Sequence, residues 1–245
     1  MIEWLVVSVA VFQVVVPSSP SESCGAGLPS AIVTLDIETT HYDPTEGETV
    51  SVGLAVHDRG EPASEISYEL CHREGPDDKV ATIARTLERL GELDADALIT
   101  YNSRDFDLDF LNERLRANER ADVAAHLEPD LPHVDLYPER QRLADRRGDK
   151  WPGLEECLAS YGYPEPVTVW NGQKVTNTRF GEELGPLYLE VLDADNDDVL
   201  EQLTPIIDHY LATDLEANLA LYYGDIGTAF EPARLGERAE FDVLE

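Results

Sequence analysis

Three runs of two-residue alternation, Ala31–Ile37, Thr49–Asp58 and Glu65–His72, stand together before any segment with helical spacing, separated by turn-forming Asp, Pro and Gly. They read as a strand meander. The period then changes. Val80, Ile83, Ala84, Leu87 and Leu90 recur at helical spacing within Lys79–Leu93, and Ala97–Tyr101 is a short apolar strand. Phe106–Asn118 is helical again, with Phe110, Leu111 and Leu115 turned inward, and Val134–Tyr137 reads as a fifth strand. A meander followed by alternating helix and strand predicts an α/β domain with a mixed five-stranded sheet flanked by helices. Beyond it the pattern predicts a short helix at Gly153–Tyr161, then a hairpin of Val167–Trp170 and Gln173–Thr176 around Asn171-Gly172. A long closing helix over Asp197–Tyr223 follows, which Pro205 is expected to kink or split.

With 245 residues the chain suits one sizeable core, placed here at 30–224, with an apolar extension and linker at 1–29 and a tail at 225–245. Lys and Arg number 18 against 50 Asp and Glu, a net charge of −32, and only Lys79, Lys150 and Lys174 are lysines. Phosphate contacts draw on Lys and Arg, so a globally basic nucleic-acid binder is excluded; any such role needs a local basic island or bound metal ions. An evenly acidic, lysine-poor surface is suited to staying solvated in a high-salt cytoplasm. Cys24, Cys71 and Cys157 lack disulfide or zinc spacing and fit a reducing interior. Trp4–Val16 is apolar apart from Ser8 and Gln13, but shorter than the roughly 20 residues a membrane span needs. No basic residue precedes Arg59, so the run reads as a β-rich extension of a cytoplasmic protein, not a targeting segment, with Pro17–Ser21 as linker.

Three sets of acidic residues sit where a solvated surface does not explain them. Strand alternation puts Asp36 and Glu38 on one face, about 6.6 Å apart along the strand. Two carboxylates at the end of a buried-looking strand repel each other, which a divalent cation relieves; a strand end emerging into water is the plainer alternative. In Tyr101-Asn102-Ser103-Arg104-Asp105-Phe106-Asp107 a strand turns into a helix. Asp105 and Asp109 suit a helix N-terminus, whereas Asp107 lies at the edge of the apolar stripe. In the last helix Leu203, Ile207, Tyr210, Asp214, Ala217 and Leu221 share a stripe, so Asp214 stands among apolar residues with Tyr210 one turn before it. A buried carboxylate must be protonated, paired or metal-bound, and no basic residue lies between Arg179 and Arg234. Asp208 and Glu216 fall off the stripe and read as solvated.

In order, these segments resemble the DEDD exonuclease superfamily, which has the ribonuclease H-like fold. Asp36-Ile37-Glu38 matches its D-x-E motif, and Asn102 to Asp107 the N-x-x-x-F-D form of proofreading domains in family-B DNA polymerases. Tyr210 to Asp214 matches Y-x-x-x-D of the tyrosine branch; His209 to Asp214 also satisfies H-x-x-x-x-D of the histidine branch, so His209 stays as the alternative to Tyr210. The resemblance covers about 30–224. It implies a 3′–5′ exonuclease acting on single-stranded 3′ ends of DNA or RNA, with a partner protein in repair or replication. Asp36, Glu38, Asp107 and Asp214 would hold two divalent ions, Mg²⁺ or Mn²⁺. Tyr210 would orient or deprotonate the attacking water, and Thr39, Thr40, Asn102 and Phe106 would meet the terminal nucleotides. Arg140, Arg142, Arg146, Arg147 and Lys150, followed by Trp151, net +2 from Glu139 to Trp151 and form either a strand-tracking patch or a solvated helix with internal pairs. A structure-specific endonuclease on the same fold and a non-catalytic binding module are the alternatives. The presence of all four carboxylates argues against the latter.

Overall fold

The computed structural model describes residues 28–124 and 131–243; the apolar run Trp4–Val16 and the Pro17–Ser21 linker lie outside the described residues. Strands β1 (Ala31–Thr39), β2 (Thr49–Asp58) and β3 (Ser67–His72) form the expected antiparallel meander. Helix α1 (Ala81–Glu92) leads into β4 (Ala97–Thr100), and α2 (Asp107–Ala117) and α3 (Ala121–Ala124) into β5 (His133–Asp135). β4 lies parallel to β1 and β5 parallel to β4, giving a mixed five-stranded sheet in the order β3-β2-β1-β4-β5. Only the fifth strand shifts: it ends at Asp135, and Tyr137 already belongs to α4 (Tyr137–Arg147), which has proline in its first turn.

The chain then builds α5 (Leu154–Ser160), the hairpin β6 (Val167–Trp170) and β7 (Gln173–Lys174), and the short helix α6 (Asn177–Arg179). A π-helical turn over Phe180–Leu184 joins α6 to α7 (Gly185–Asp193). Helix α8 runs unbroken from Asp197 to Asp225 with Pro205 inside it, so of the two expected outcomes, a kink or a split, the split does not occur. After α8 the chain returns, and β8 (Arg238–Phe241) pairs in parallel with β6 to complete a second, three-stranded sheet. Among the described residues no helix is long and apolar enough to cross a membrane.

Side-chain alternation in β1 sorts the two layers. Val33, Leu35 and Ile37 pack with Leu108, Leu111 and Leu115 of α2 and Ile83 and Leu90 of α1. Ile32 faces the other way, into a cluster with Leu211, Leu215 and Leu219 of α8. By the two-residue period, Asp36 and Glu38 lie on that second face, at the end where β1 runs out.

Gly53 of β2, directly opposite Asp36, sets how closely α8 approaches. A Cβ there would stand 2.8 Å from Leu215 and 2.9 Å from Leu211, so a bare backbone is needed for the helix to seat. We expect Gly53→Val to destabilise the protein by about 1–3 kcal/mol, the cost of overpacking a close-packed core. Thermal or urea unfolding measures it, and an unchanged midpoint would show that α8 does not depend on this contact.

Candidate active site

Each acidic side chain arrives from a different local cause. Asp36 and Glu38 sit side by side on the α8 face of β1. Asp107 is the first residue of α2 and is buried. The turn before it is fixed by Asp135 of β5, whose carboxylate accepts the backbone N–H groups of Asn102 at 2.8 Å, Arg104 at 3.0 Å and Tyr137 at 3.0 Å. Asn102 takes a left-handed conformation there, φ 66°, which asparagine tolerates better than most residues. His133 bonds the Thr100 hydroxyl at 2.8 Å. Asp214 enters from α8, carried down by Leu211 and Leu215.

The four acids converge. Asp36, Glu38 and Asp214 each offer a carboxylate oxygen, and these oxygens lie within 4.8 Å of one another. With Asp107 they line one cleft of about 730 Å³, together with Asn102, Phe106 and Tyr210. Burial raises the Asp36 carboxyl well above its ordinary range, and the nearby Asp107 charge adds to it. Glu38 is raised by burial, then by Asp36, Asp214 and Asp107. Asp214 is raised by burial, then by Asp36 and Glu155, with only Lys174 pulling it back. Asp107 is pushed up to about 8, chiefly by burial, with Asp135 adding to the shift against the Ser103 hydroxyl. A hard oxygen donor set with this mutual repulsion fits a divalent cation such as Mg²⁺ or Mn²⁺.

Of the two candidates before Asp214, Tyr210 lines the cleft. Its hydroxyl donates to Asn177 Oδ1 at 2.7 Å and its ring stacks on Phe180. Burial and the charges of Asp214 and Glu38 keep the phenol protonated. His209 turns towards the small sheet, bonded to Thr168 at 2.7 Å and tilted against Phe241; burial holds its imidazole below the ordinary value. Thr39 and Thr40 do not line the cleft. Their hydroxyls close the turn between β1 and β2, Thr39 donating to the His41 carbonyl and Thr40 accepting from the Glu48 amide.

Two charge assignments need correction. Arg140 is not on a phosphate-facing patch: it is 1% exposed, paired with Asp225 at 2.8 Å and donating to the Leu136 carbonyl. Arg142 and Arg146 both pair with Glu139, so this stretch is closer to the helix with internal pairs, and only Lys150 and Trp151 reach the cleft. Glu216 is fully buried where the sequence suggested solvent, because the returning chain aims three backbone N–H groups at it, those of Ala233, Arg234 and Leu235, at 2.7–2.8 Å. Asp208 is half-exposed, and His72 bonds it at 2.7 Å.

The cleft also holds residues the sequence did not single out: Lys174, Asn177, Asn218, Tyr101 and Glu155. Asn218 follows Asp214 by four positions, the helical interval that marks a shared face, and its side-chain carbonyl is buried with no protein partner. Lys174 was visible as one of three lysines in the chain, two of which line this cleft.

The raised carboxyls set a pH dependence. An acid whose folded pKa exceeds its unfolded value of about 4 stabilises fully below that value, and the contribution is lost as pH rises through the folded pKa. In EDTA at fixed salt, the melting temperature should therefore fall as pH rises from 6 to 9, through the value of about 8 at Asp107. Mg²⁺ or Mn²⁺ should restore more stability at pH 9 than at pH 6, and Asp214→Asn should flatten both responses. Melting temperatures that do not change with pH or metal would show that the acids do not share one charge problem.

A family model described as the RNase_H superfamily matches residues 33–180, more than half of the chain. A search of curated proteins finds no match. Among solved structures, the family B DNA polymerase of the hyperthermophilic archaeon Pyrobaculum calidifontis is similar in fold over 81% of this chain, with a TM-score of 0.54 and 20% identity. Exonuclease I of E. coli, solved in complex with a dA16 oligonucleotide, aligns over 54% of the chain with a TM-score of 0.39 and 17% identity. The chain spans 25% of the polymerase's length and 36% of the exonuclease's. The five-stranded sheet of this order, carrying paired acids at the end of its central strand, and the family match over it agree: the chain belongs to the RNase H superfamily.

Proposed function

We propose that this protein is a metal-dependent 3′–5′ exonuclease that hydrolyses the terminal phosphodiester of single-stranded DNA or RNA. The observation that carries the reading is the convergence of the Asp36, Glu38 and Asp214 carboxylates in one cleft that Asp107 also lines. Divalent cations bound there would supply neutralisation of the phosphate charge and activation of water for in-line attack.

The chain's own residues set up the substrate. The four carboxylates fix where the reacting phosphate sits. Tyr210 orients the attacking water from one turn before Asp214. Asn102 and Phe106 meet the sugar and base of the terminal nucleotides, while Thr39 and Thr40 bound the site through the turn they close. Trp151 is exposed beside the cleft and Tyr101 lines it, two aromatic faces suited to stacking unpaired bases, and Lys150 brings positive charge to the backbone, whereas Lys174 is already paired with Glu155 and Glu165. The acidic, lysine-poor composition supports a high-salt setting.

The test is digestion of 5′-labelled single-stranded DNA and RNA in high KCl with Mg²⁺ or Mn²⁺, with free or blocked 3′ ends. Mononucleotides should be released from free 3′ ends only, and EDTA should stop the reaction. Asp36→Ala should lose more than the roughly 100-fold typical of changes outside the metal-binding shell. Tyr210→Phe should lose on the order of 10²-fold, the scale of a mispositioned reactant, while His209→Ala stays near wild type. Internal cleavage of blocked substrates would favour the endonuclease alternative. Binding without cleavage would favour the binding module.

A further inference from the structure

We infer that Asn177 is a positioning residue for Tyr210: its carboxamide oxygen holds the phenolic proton, so the phenol oxygen presents its lone pairs to the attacking water. The inference rests on the exonuclease reading and adds a component that the sequence motifs do not contain. The Tyr210 hydroxyl donates to Asn177 Oδ1 at 2.7 Å. A carboxamide oxygen only accepts, so the hydrogen bond commits the phenol's one proton. The oxygen that remains can only receive a hydrogen bond from a water in the cleft. Tyr210 would then orient the water by accepting from it and would not take its proton.

The geometry is held from two sides. Phe180, itself buried, stacks on the Tyr210 ring at 5.5 Å with 17° between planes, which fixes the ring. Asn177 fixes its oxygen. Asn177 in turn is placed by a rigid turn: Thr176 caps α6 by accepting from the Arg179 amide at 3.2 Å. The Arg179 guanidinium lies 4.6 Å over the Trp170 ring and donates to the carbonyls of Trp170 and Gln173, tying α6 to the hairpin. Gly181 packs this segment against the end of β1, where a Cβ would come 3.2 Å from the Thr40 carbonyl. Asn177 is otherwise exposed, so its replacement leaves the core intact.

The experiment compares Asn177→Ala, Tyr210→Phe and the double variant in steady-state digestion of single-stranded DNA, with Asn177→Asp as a variant that keeps the acceptor. Asn177→Ala should lower kcat about 10- to 100-fold, as expected for a misplaced catalytic group, with KM little changed. It should cost nothing further in the Tyr210→Phe background, and Asn177→Asp should retain most of the wild-type kcat. An Asn177→Ala enzyme as fast as wild type, an equal loss in the Tyr210→Phe background, or an Asp variant as slow as Ala would overturn the inference. A wild type that releases no nucleotide would instead remove the exonuclease reading and the inference with it.

Discussion

The seat of α8 against β2 governs where the chemistry can occur. Gly53 leaves room for Leu211 and Leu215, and these two residues immediately follow Tyr210 and Asp214 along the helix. The four-residue interval that lets the leucines straddle one glycine is therefore the interval that separates the tyrosine from the aspartate. Any change in the depth or rotation of α8 is transmitted to both polar groups at once. Because Gly53 lies directly opposite Asp36 in the strand register, the same contact also sets the distance between the helix and the acids of β1.

Packing holds these acids together against their own charge. Each is raised first by burial and then by its neighbours, and among cations only Lys174 favours the ionised form of Asp214. Apolar clusters on both faces of the sheet supply the opposing stabilisation: α1 and α2 on one side, α8 and α5 on the other. A site preorganised in this way would have little rearrangement left to make if cations entered, and their binding would relieve a repulsion that the fold already bears.

The sequence made legible whatever depended on local periodicity. Two-residue alternation placed Asp36 and Glu38 on one face, and helical spacing placed Tyr210 and Asp214 on one stripe, because both rules describe a single element and need no partner. Contacts between distant elements were not readable. Arg140 looked like part of a basic patch because its partner, Asp225, is 85 positions away and meets it only in the folded chain. Glu216 looked solvated because nothing local shows that residues 233–235 return over α8. Thr39 and Thr40 read as substrate contacts from their place after D-x-E, yet the turn to β2 engages their hydroxyls. Pro205 was read as a kink or a split, and α8 continues through it without a split, carried by packing along most of its length.

The net charge of −32 is less of an obstacle to binding a polyanion than it first seems. At about 1 M salt the screening length is near 3 Å, so charges across the surface neither repel nor steer a nucleic acid from a distance. Under such conditions only groups in direct contact with the strand decide affinity. In the proposed complex, stacking on Trp151 and Tyr101, hydrogen bonds to Asn102 and Asn218, and the contact of Lys150 would then outweigh the remote carboxylates, since stacking and short hydrogen bonds survive salt that abolishes long-range attraction. Of the chain's three lysines two stand on the cleft wall, where Lys174 already pairs with Glu155 and Glu165 and Lys150 would be left to meet the strand.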